Sequence, residues 1–235
     1  MRGNALRYVG WQARDRALPR LAVCLAVIAA LGLPVATGAR LGGLPFGADI
    51  LVRGIHGEMT VLFALIMAAG VIAQDRNRGW FRFYLAKPVS PLWFYGQGAA
   101  LSLAGMFAAS AATQVFFMVS VDTGWSWVLM RDGALAYVLV GATVLFWSSL
   151  VRRDWLFALG TLILSSAARG LLPRERGGLG AVLHAILPPF HLLETNAMAG
   201  AQAIPREDLL WIGAWGVGLG VVAMVILRRR PLGED

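Results

Sequence analysis

The sequence predicts an all-α integral membrane protein with six transmembrane helices, an N-terminal interfacial helix and a short cytoplasmic helix between spans two and three. Apolar residues make up 58% of the 235 residues, charged residues only 14%, and the mean hydropathy is +0.65. Soluble domains are about a quarter charged. A core of this size has no room for so much apolar surface, so the excess must face lipid. This composition excludes a water-soluble enzyme, a disordered chain and a secreted disulfide scaffold.

The spans follow from stretches that contain no charged residue and are close to the roughly 20 residues that cross a bilayer as a helix. The third span starts after Pro88 and Pro91, and the fifth contains the shortest such stretch, 155–168. The whole chain, 1–235, forms one transmembrane domain. The predicted spans are 21–39, 55–74, 98–121, 133–151, 155–172 and 209–227.

The basic residues predict the orientation of these spans. With the N-terminus in the cytoplasm, fourteen Lys and Arg residues lie in inner segments and seven in outer segments. By the positive-inside rule both termini are cytoplasmic. The net charge of +8 is spread between apolar stretches. It therefore indicates membrane topology, and we expect no nucleic-acid partner.

Residues 1–20 are expected to form an amphipathic helix in the membrane interface. Tyr8 and Trp11 are suitable aromatic anchors for it. A basic region of this length is unusual for a signal peptide, so we expect it to be retained. The alternative is a basic juxtamembrane tail. The helical spacing is carried by Leu6, Val9, Ala13 and Ala17, with Arg7 and Arg14 on another side.

The cytoplasmic loop 75–96 predicts a short amphipathic helix that has the shape of a docking element. Asp75 is suited to cap such a helix, because its carboxylate accepts from exposed backbone N–H groups. Gly79 permits a tight turn, and Pro88 ends the helix. An apolar stripe of Phe81, Tyr84 and Leu85 lies opposite Arg78, Arg82 and Lys87.

This loop resembles that of the membrane subunits (permeases) of ABC-2 type ABC transporters. The resemblance is carried by Asp75-Arg-Asn-Arg-Gly79, by Phe81-Arg-Phe-Tyr-Leu85 and by Lys87-Pro-Val-Ser90. The outer segment 173–208 is similar to a family segment that often re-enters the membrane, although Pro188 and Pro189 interrupt any helix there. Two departures are Asp75, where Glu is common, and Trp80, where a small or hydroxyl residue is common.

The resemblance implies a transport subunit, not an enzyme, in the bacterial inner (plasma) membrane. Two such subunits, as a homo- or heterodimer, would pair with two cytoplasmic ABC ATPase subunits. They would export a small hydrophobic or amphipathic substrate. ATP and Mg would be bound by the partner, with no cofactor on this chain. The residues implied in coupling to the ATPase are Asp75, Arg76, Arg78, Gly79, Trp80, Arg82 and Pro88.

The absence of a P-loop from the sequence agrees with this division of labour. A P-loop requires Gly-x-x-x-x-Gly-Lys-Ser/Thr, whose lysine contacts the phosphates. The only lysine, Lys87, stands between Ala86 and Pro88. This chain therefore cannot hydrolyse ATP by that mechanism.

Polar residues within the spans suggest a weakly polar substrate path. The alternative is that their hydroxyls bond the backbone of their own helix or hold helices together. Gly216 and Gly220 form a Gly-x-x-x-Gly pair that allows close helix approach, within this chain or to another. The path candidates are Ser110, Thr113, Gln114, Thr143 and Ser148.

Three histidines, all predicted on the outer side, are the remaining candidates for chemistry. A metal site needs three or four converging ligands, so we expect no metal site in this chain. The weak candidates for metal ligands are His56, His191 and Glu194. One alternative function is a membrane-embedded enzyme with an outer-face His/Glu site that includes His184. Another is a membrane anchor subunit of a complex that does not transport.

Overall fold

Every regular element in the described part of the chain is helical, which confirms the all-α class. The computed structural model describes residues 3–40, 48–78, 90–171, 178–193, 195 and 204–229. The elements in chain order are α1 (Gly3–Gln12), π1 (Ala13–Ala17), α2 (Leu18–Arg40), α3 (Ala48–Ala68), α4 (Ala73–Arg78), α5 (Pro91–Val121), α6 (Trp127–Ala136), π2 (Tyr137–Gly141), α7 (Ala142–Leu150), α8 (Asp154–Leu171), α9 (Leu179–Ile186) and α10 (Arg206–Arg229).

Within the described residues, five helical stretches are long and apolar enough to cross a membrane, so the chain is a multi-pass membrane protein. They are Tyr8–Gly38, Arg53–Asp75, Leu92–Val121, Trp127–Leu150 and Arg206–Arg229. The remaining predicted span, the fifth (155–172), corresponds to α8. Its apolar part, Asp154–Ala168, is shorter than the roughly 20 residues that a perpendicular span requires.

The third apolar helix starts earlier than the sequence predicted. The predicted span was 98–121, but α5 begins at Pro91 and is apolar from Leu92 onward. Pro is favoured at the first position of a helix, because its φ is already helical and its missing N–H has no intrahelical acceptor there. Pro91, which the sequence placed within the loop 75–96, therefore starts the helix.

The N-terminal helix and the first span are one continuous helical stretch, α1–π1–α2, whereas the sequence predicted separate elements at 1–20 and 21–39. At π1 the Leu18 N–H donates to the Ala13 carbonyl, five residues back. Pro19 follows and has no N–H, so it leaves an α-helical bond of this turn unmade. Such a π turn changes the rotation of the helix, and here Gln12 and Arg16 are both buried.

The core lies around α3 and the α6–π2–α7 stretch. The apolar stretches that contain α3 and α6–π2–α7 are half or more buried. The first and last apolar stretches are mostly exposed. Large apolar side chains such as Val119, Leu210 and Val217 point outward, as expected of helices that face lipid. The main core residues include Cys24, Ile28, Met59, Phe63, Met67, Met106, Leu139, Val144 and Ile212.

One glycine of the Gly-x-x-x-Gly pair is used inside this chain. A Cβ built on Gly216 would lie 2.7 Å from the Val138 carbonyl oxygen and 2.5 Å from its Cγ1. A Cβ on Gly220 would meet nothing within 4 Å. Gly216 therefore allows α10 to pack against the backbone of π2.

We expect Gly216→Ala to destabilise the bundle by about 1–3 kcal/mol, because the new methyl group meets a backbone atom that cannot rotate away. Gly220→Ala is the matched control, and it should be neutral or stabilising by up to roughly 1 kcal/mol through helix propensity. The measurement is the apparent melting temperature of each variant in the same detergent. Equal melting temperatures for the two variants would contradict the packing interpretation.

Candidate functional site: a polar hub around a broken helix

The central helix α3 breaks just before the candidate coupling loop. It ends at Ala68, a turn occupies 69–72, and the short helix α4 begins at Ala73. Gly70 has φ +69°, in the left-handed region that favours glycine. A helix break leaves backbone N–H and C=O groups without their usual intrahelical partners. In a buried position these groups need other hydrogen-bond partners.

Arginines of the N-terminal helix satisfy two carbonyl oxygens near the break. Arg20 Nη1 donates to the Met67 carbonyl oxygen at 2.9 Å. Arg16 Nη1 donates to the Val71 carbonyl oxygen, also at 2.9 Å. The break in α3 is therefore fixed to α1–π1–α2 on its carbonyl side.

Side chains from α7 and α8 satisfy the N–H groups of the same turn. Asp154 Oδ2 accepts from the Gly70 N–H at 2.7 Å. Ser148 Oγ accepts from the N–H groups of Ile72 and Ala73 at 3.3 and 2.8 Å. Both acceptors are nearly fully buried. The turn is thus held by three separate parts of the bundle.

A buried ion pair joins π1 to α4. Arg16 Nη2 contacts Asp75 Oδ1, and neither side chain is appreciably exposed. The Arg16 guanidinium also lies over the rings of Trp11 and Phe94, 5.5 and 5.7 Å from their centroids. We call this group of side chains the polar hub: Gln12, Arg16, Arg20, Asp75, Ser148 and Asp154.

The N-terminal helix also contacts the start of α5. Gln12 Nε2 donates to the Phe94 carbonyl oxygen at 3.2 Å, and the Tyr8 and Phe94 rings meet edge to face with centroids 6.1 Å apart. Asp75 and Phe94 flank the segment 79–89 on its two sides. One helix therefore holds both ends of the candidate coupling loop.

A positively charged cavity opens beside the hub. Its volume is about 430 Å³, and Arg20, Arg152 and Arg153 line it together with Asp154. Arg152 and Arg153 are exposed. These arginines are among the basic residues from which the sequence predicts a cytoplasmic position for this end, and that orientation stays a prediction.

The candidate coupling residues are only partly within the described chain. Asp75 is the third residue of α4 and is fully buried against Arg16, whereas the sequence suggested a helix cap. Arg76 and Arg78 belong to α4. Gly79, Trp80, Arg82 and Pro88 lie outside the described residues, as do most of the motif positions after them.

The five candidate path residues are all buried but do not share one environment. Thr113 and Thr143 donate to the carbonyl oxygens of Ala109 and Leu139, four residues back on their own helices. Ser148 belongs to the hub. Ser110 and Gln114 lie towards the other end of α5. A continuous polar path stays a prediction.

The histidines belong to two different cavities. His56 lines one, described below, and His184 and His191 line another of about 560 Å³ together with Glu207 and Asp208. Glu194 lies outside the described residues. Within the described ranges, no group of three His, Cys, Asp or Glu side chains is arranged to hold a metal ion.

The sequence interpretation missed most of the hub. Gln12, Arg16 and Arg20 recur at intervals of four, which places them on one side of a helix. This polar stripe, continuing into the first apolar stretch, was the available signal. Ser148 and Asp154 carried no such signal, because only the tertiary fold brings them to the turn at 69–72.

We expect Arg16→Met to destabilise the protein by about 3–5 kcal/mol, because it leaves the Asp75 carboxylate buried without its cation. The double variant Arg16→Met/Asp75→Leu removes both charges and should recover much of that loss. Arg14→Met is the matched control, since Arg14 is exposed in the same π turn. Apparent melting temperatures of the single and double variants in one detergent complete the mutant cycle. Additive effects of the two substitutions would contradict a coupled pair.

No protein-family model, curated protein or solved structure matches this chain. Its function is therefore inferred from its own residues and from the geometry of the hub and cavities.

Proposed function

We propose that this chain is the permease subunit of an ABC-2 type transporter. It would export a small hydrophobic or amphipathic substrate across the bacterial inner membrane, using ATP hydrolysed by a separate nucleotide-binding subunit. Five long apolar helices support a membrane-spanning subunit. The residues between Asp75 and Ser90 support this family through their resemblance to its coupling loop.

The observation that carries the proposal is the attachment of both ends of that loop to the N-terminal helix. Arg16 binds Asp75 at the start of the loop, and Gln12 binds the Phe94 backbone near its end. Ser148 and Asp154 of the hub also connect α7 and α8 to the turn at 69–72, which precedes the loop. A partner that pushes on the loop would therefore displace several spans together.

The expected assembly contains two permease subunits and two cytoplasmic ATPases, with both termini of this chain on the ATPase side. The arginine-lined cavity beside the hub supports this orientation. ATP and Mg would be bound by the partner alone, because the sequence has no P-loop.

The first experiment is affinity purification of the tagged chain from its native host in mild detergent. We expect an ATPase subunit to co-purify in stoichiometric amount, with a turnover that depends on this chain. Recovery of the chain alone, or with an unrelated complex, would overturn the proposal. A stable complex with other stoichiometry and without transport would favour the anchor alternative.

Charge reversal in the loop tests the coupling surface. We expect Arg78→Glu and Arg82→Glu to reduce ATPase stimulation and transport at least about tenfold, because reversing a rim charge replaces attraction by repulsion. Membrane insertion should be unchanged. Arg229→Glu is the matched control, since it changes the same charge at the exposed end of α10. Normal coupling in both loop variants would exclude this segment as the docking element.

A second candidate function is a membrane-embedded enzyme with an outer-face site. The 560 Å³ cavity that contains His184, His191, Glu207 and Asp208 favours it, since such groups can serve as general acids and bases. This enzyme would be active without a nucleotide-binding partner. His191→Ala would then abolish activity, whereas the permease proposal predicts ATP-dependent transport in that variant.

A further inference from the structure

A small polar cavity lies near the end of the bundle opposite to the polar hub. Its volume is about 260 Å³, and it lies between α3, α5 and the segment that joins α5 to α6. Drug-sized ligands occupy roughly 300–1,000 Å³, whereas one water takes about 30 Å³. Trp125 lines the cavity beside Trp127, and both side chains are exposed. Exposed Trp side chains favour the membrane interface, which places this cavity near that interface. Small solutes and lipid headgroups can therefore both reach the cavity.

Gln114 lines this cavity and carries a buried hydrogen-bond donor. Its Oε1 accepts from the Ser126 N–H at 2.9 Å, which fixes the orientation of the amide. Its Nε2 has no hydrogen-bond partner among the residues that the structure describes, although the side chain is only 3% exposed. A buried donor without a partner costs free energy, so a ligand that accepts from Nε2 would be stabilised there.

His56 lines the same cavity and carries a buried ring nitrogen that can accept a hydrogen bond. The Thr60 hydroxyl donates its hydrogen to the His56 carbonyl oxygen. Thr60 Oγ1 is therefore left to accept from the N–H at His56 Nδ1, 3.0 Å away. In the neutral ring Nε2 then carries the lone pair. Nε2 has no partner in the described part of the chain, and His56 is 1% exposed. This nitrogen therefore suits a ligand with an O–H or N–H group.

Arg53 supplies a positive charge to the cavity. It lies one helical turn before His56 on α3 and is half-buried. Asp132 interacts electrostatically with Arg53, and its Oδ1 forms an ion pair with Arg131 at 2.9 Å. The guanidinium is thus suited to an anionic ligand, and its planar fork matches phosphate oxygens.

We propose that this cavity binds a phosphate group that carries or adjoins a hydrogen-bond donor. Arg53 and the Gln114 amide contact its oxygens, and His56 Nε2 accepts from its donor. Two sources have this chemistry: free hydrogen phosphate, and the headgroup of phosphatidylethanolamine, whose ammonium donates. The proposal is independent of any coupling to an ATPase.

The test uses the full-length chain purified in detergent. Calorimetric titration with inorganic phosphate and native mass spectrometry with phosphatidylethanolamine separate the two sources. Phosphatidylcholine is the matched lipid, because its quaternary ammonium cannot donate. We expect at least one of the first two ligands to bind, and phosphatidylcholine to bind about tenfold more weakly than phosphatidylethanolamine if the lipid is the ligand. Failure of both phosphate and phosphatidylethanolamine to bind would overturn the proposal and leave a water-filled cavity.

Gln114→Glu tests the donor without removing the acceptor of the Ser126 N–H. It is nearly isosteric and places a negative charge where the donor stood, so we expect phosphate affinity to fall at least about tenfold. Gln97→Glu makes the same change near the other end of α5 and should leave binding unchanged. Arg53→Gln should also weaken binding, with Arg206→Gln as its control at an exposed arginine.

The melting temperatures of Gln114→Glu and Gln97→Glu are the control for folding. If they are equal, a loss of binding in Gln114→Glu does not come from unfolding. Should Gln114→Glu fail to fold, Arg53→Gln and Arg206→Gln provide the same comparison. Unchanged affinity in a folded Gln114→Glu or Arg53→Gln variant would refute the proposal.

Discussion

The buried contact between Arg16 and Asp75 is the interaction on which the arrangement of the cytoplasm-assigned end depends. Two charges away from water are stable only if they are paired and if their remaining hydrogen-bonding groups are satisfied. Arg16 meets this condition, because it also donates to the Val71 carbonyl oxygen and lies over Trp11 and Phe94. The pair therefore fixes the rotation of the N-terminal helix against the break in α3, and with it the position of α4.

The polar hub and the proposed phosphate cavity share the same central helix. His56 precedes the end of α3 at Ala68 by twelve residues, or roughly 18 Å along the axis. Between them α3 packs through Met59, Phe63 and Met67, all almost fully buried. A close-packed helix of this length moves as a rigid body, because cores of this density deform little. Displacement of α3 at the hub would thus carry one wall of the phosphate cavity with it.

Composition and charge predicted the membrane class well, because the requirement that lipid-facing surface be apolar acts on every span separately. Helix limits were harder: Pro91 looked like part of a loop, and only the structure shows that it starts α5. The buried hub was harder still. A sequence can show that Gln12, Arg16 and Arg20 share a helix face, but Ser148 and Asp154 join them only through the packing of α7 and α8 on the broken helix. Asp75 was selected by resemblance, and the structure adds its intramolecular partner.

The π turn at Ala13–Ala17 makes this part of the chain tolerant of the loss of one residue. An α-helix turns by about 100° per residue, and a π turn holds one residue more than the α turn that it replaces. Deleting one residue here, with return to α-helical geometry, would therefore keep the rotation of everything before it and leave Gln12 and Tyr8 close to Phe94. Closing the turn to α-helical geometry without a deletion would rotate that part by about one residue. In a lineage of such proteins, exposed positions such as Arg14 and Asp15 are where a residue could be lost without moving the helix before them.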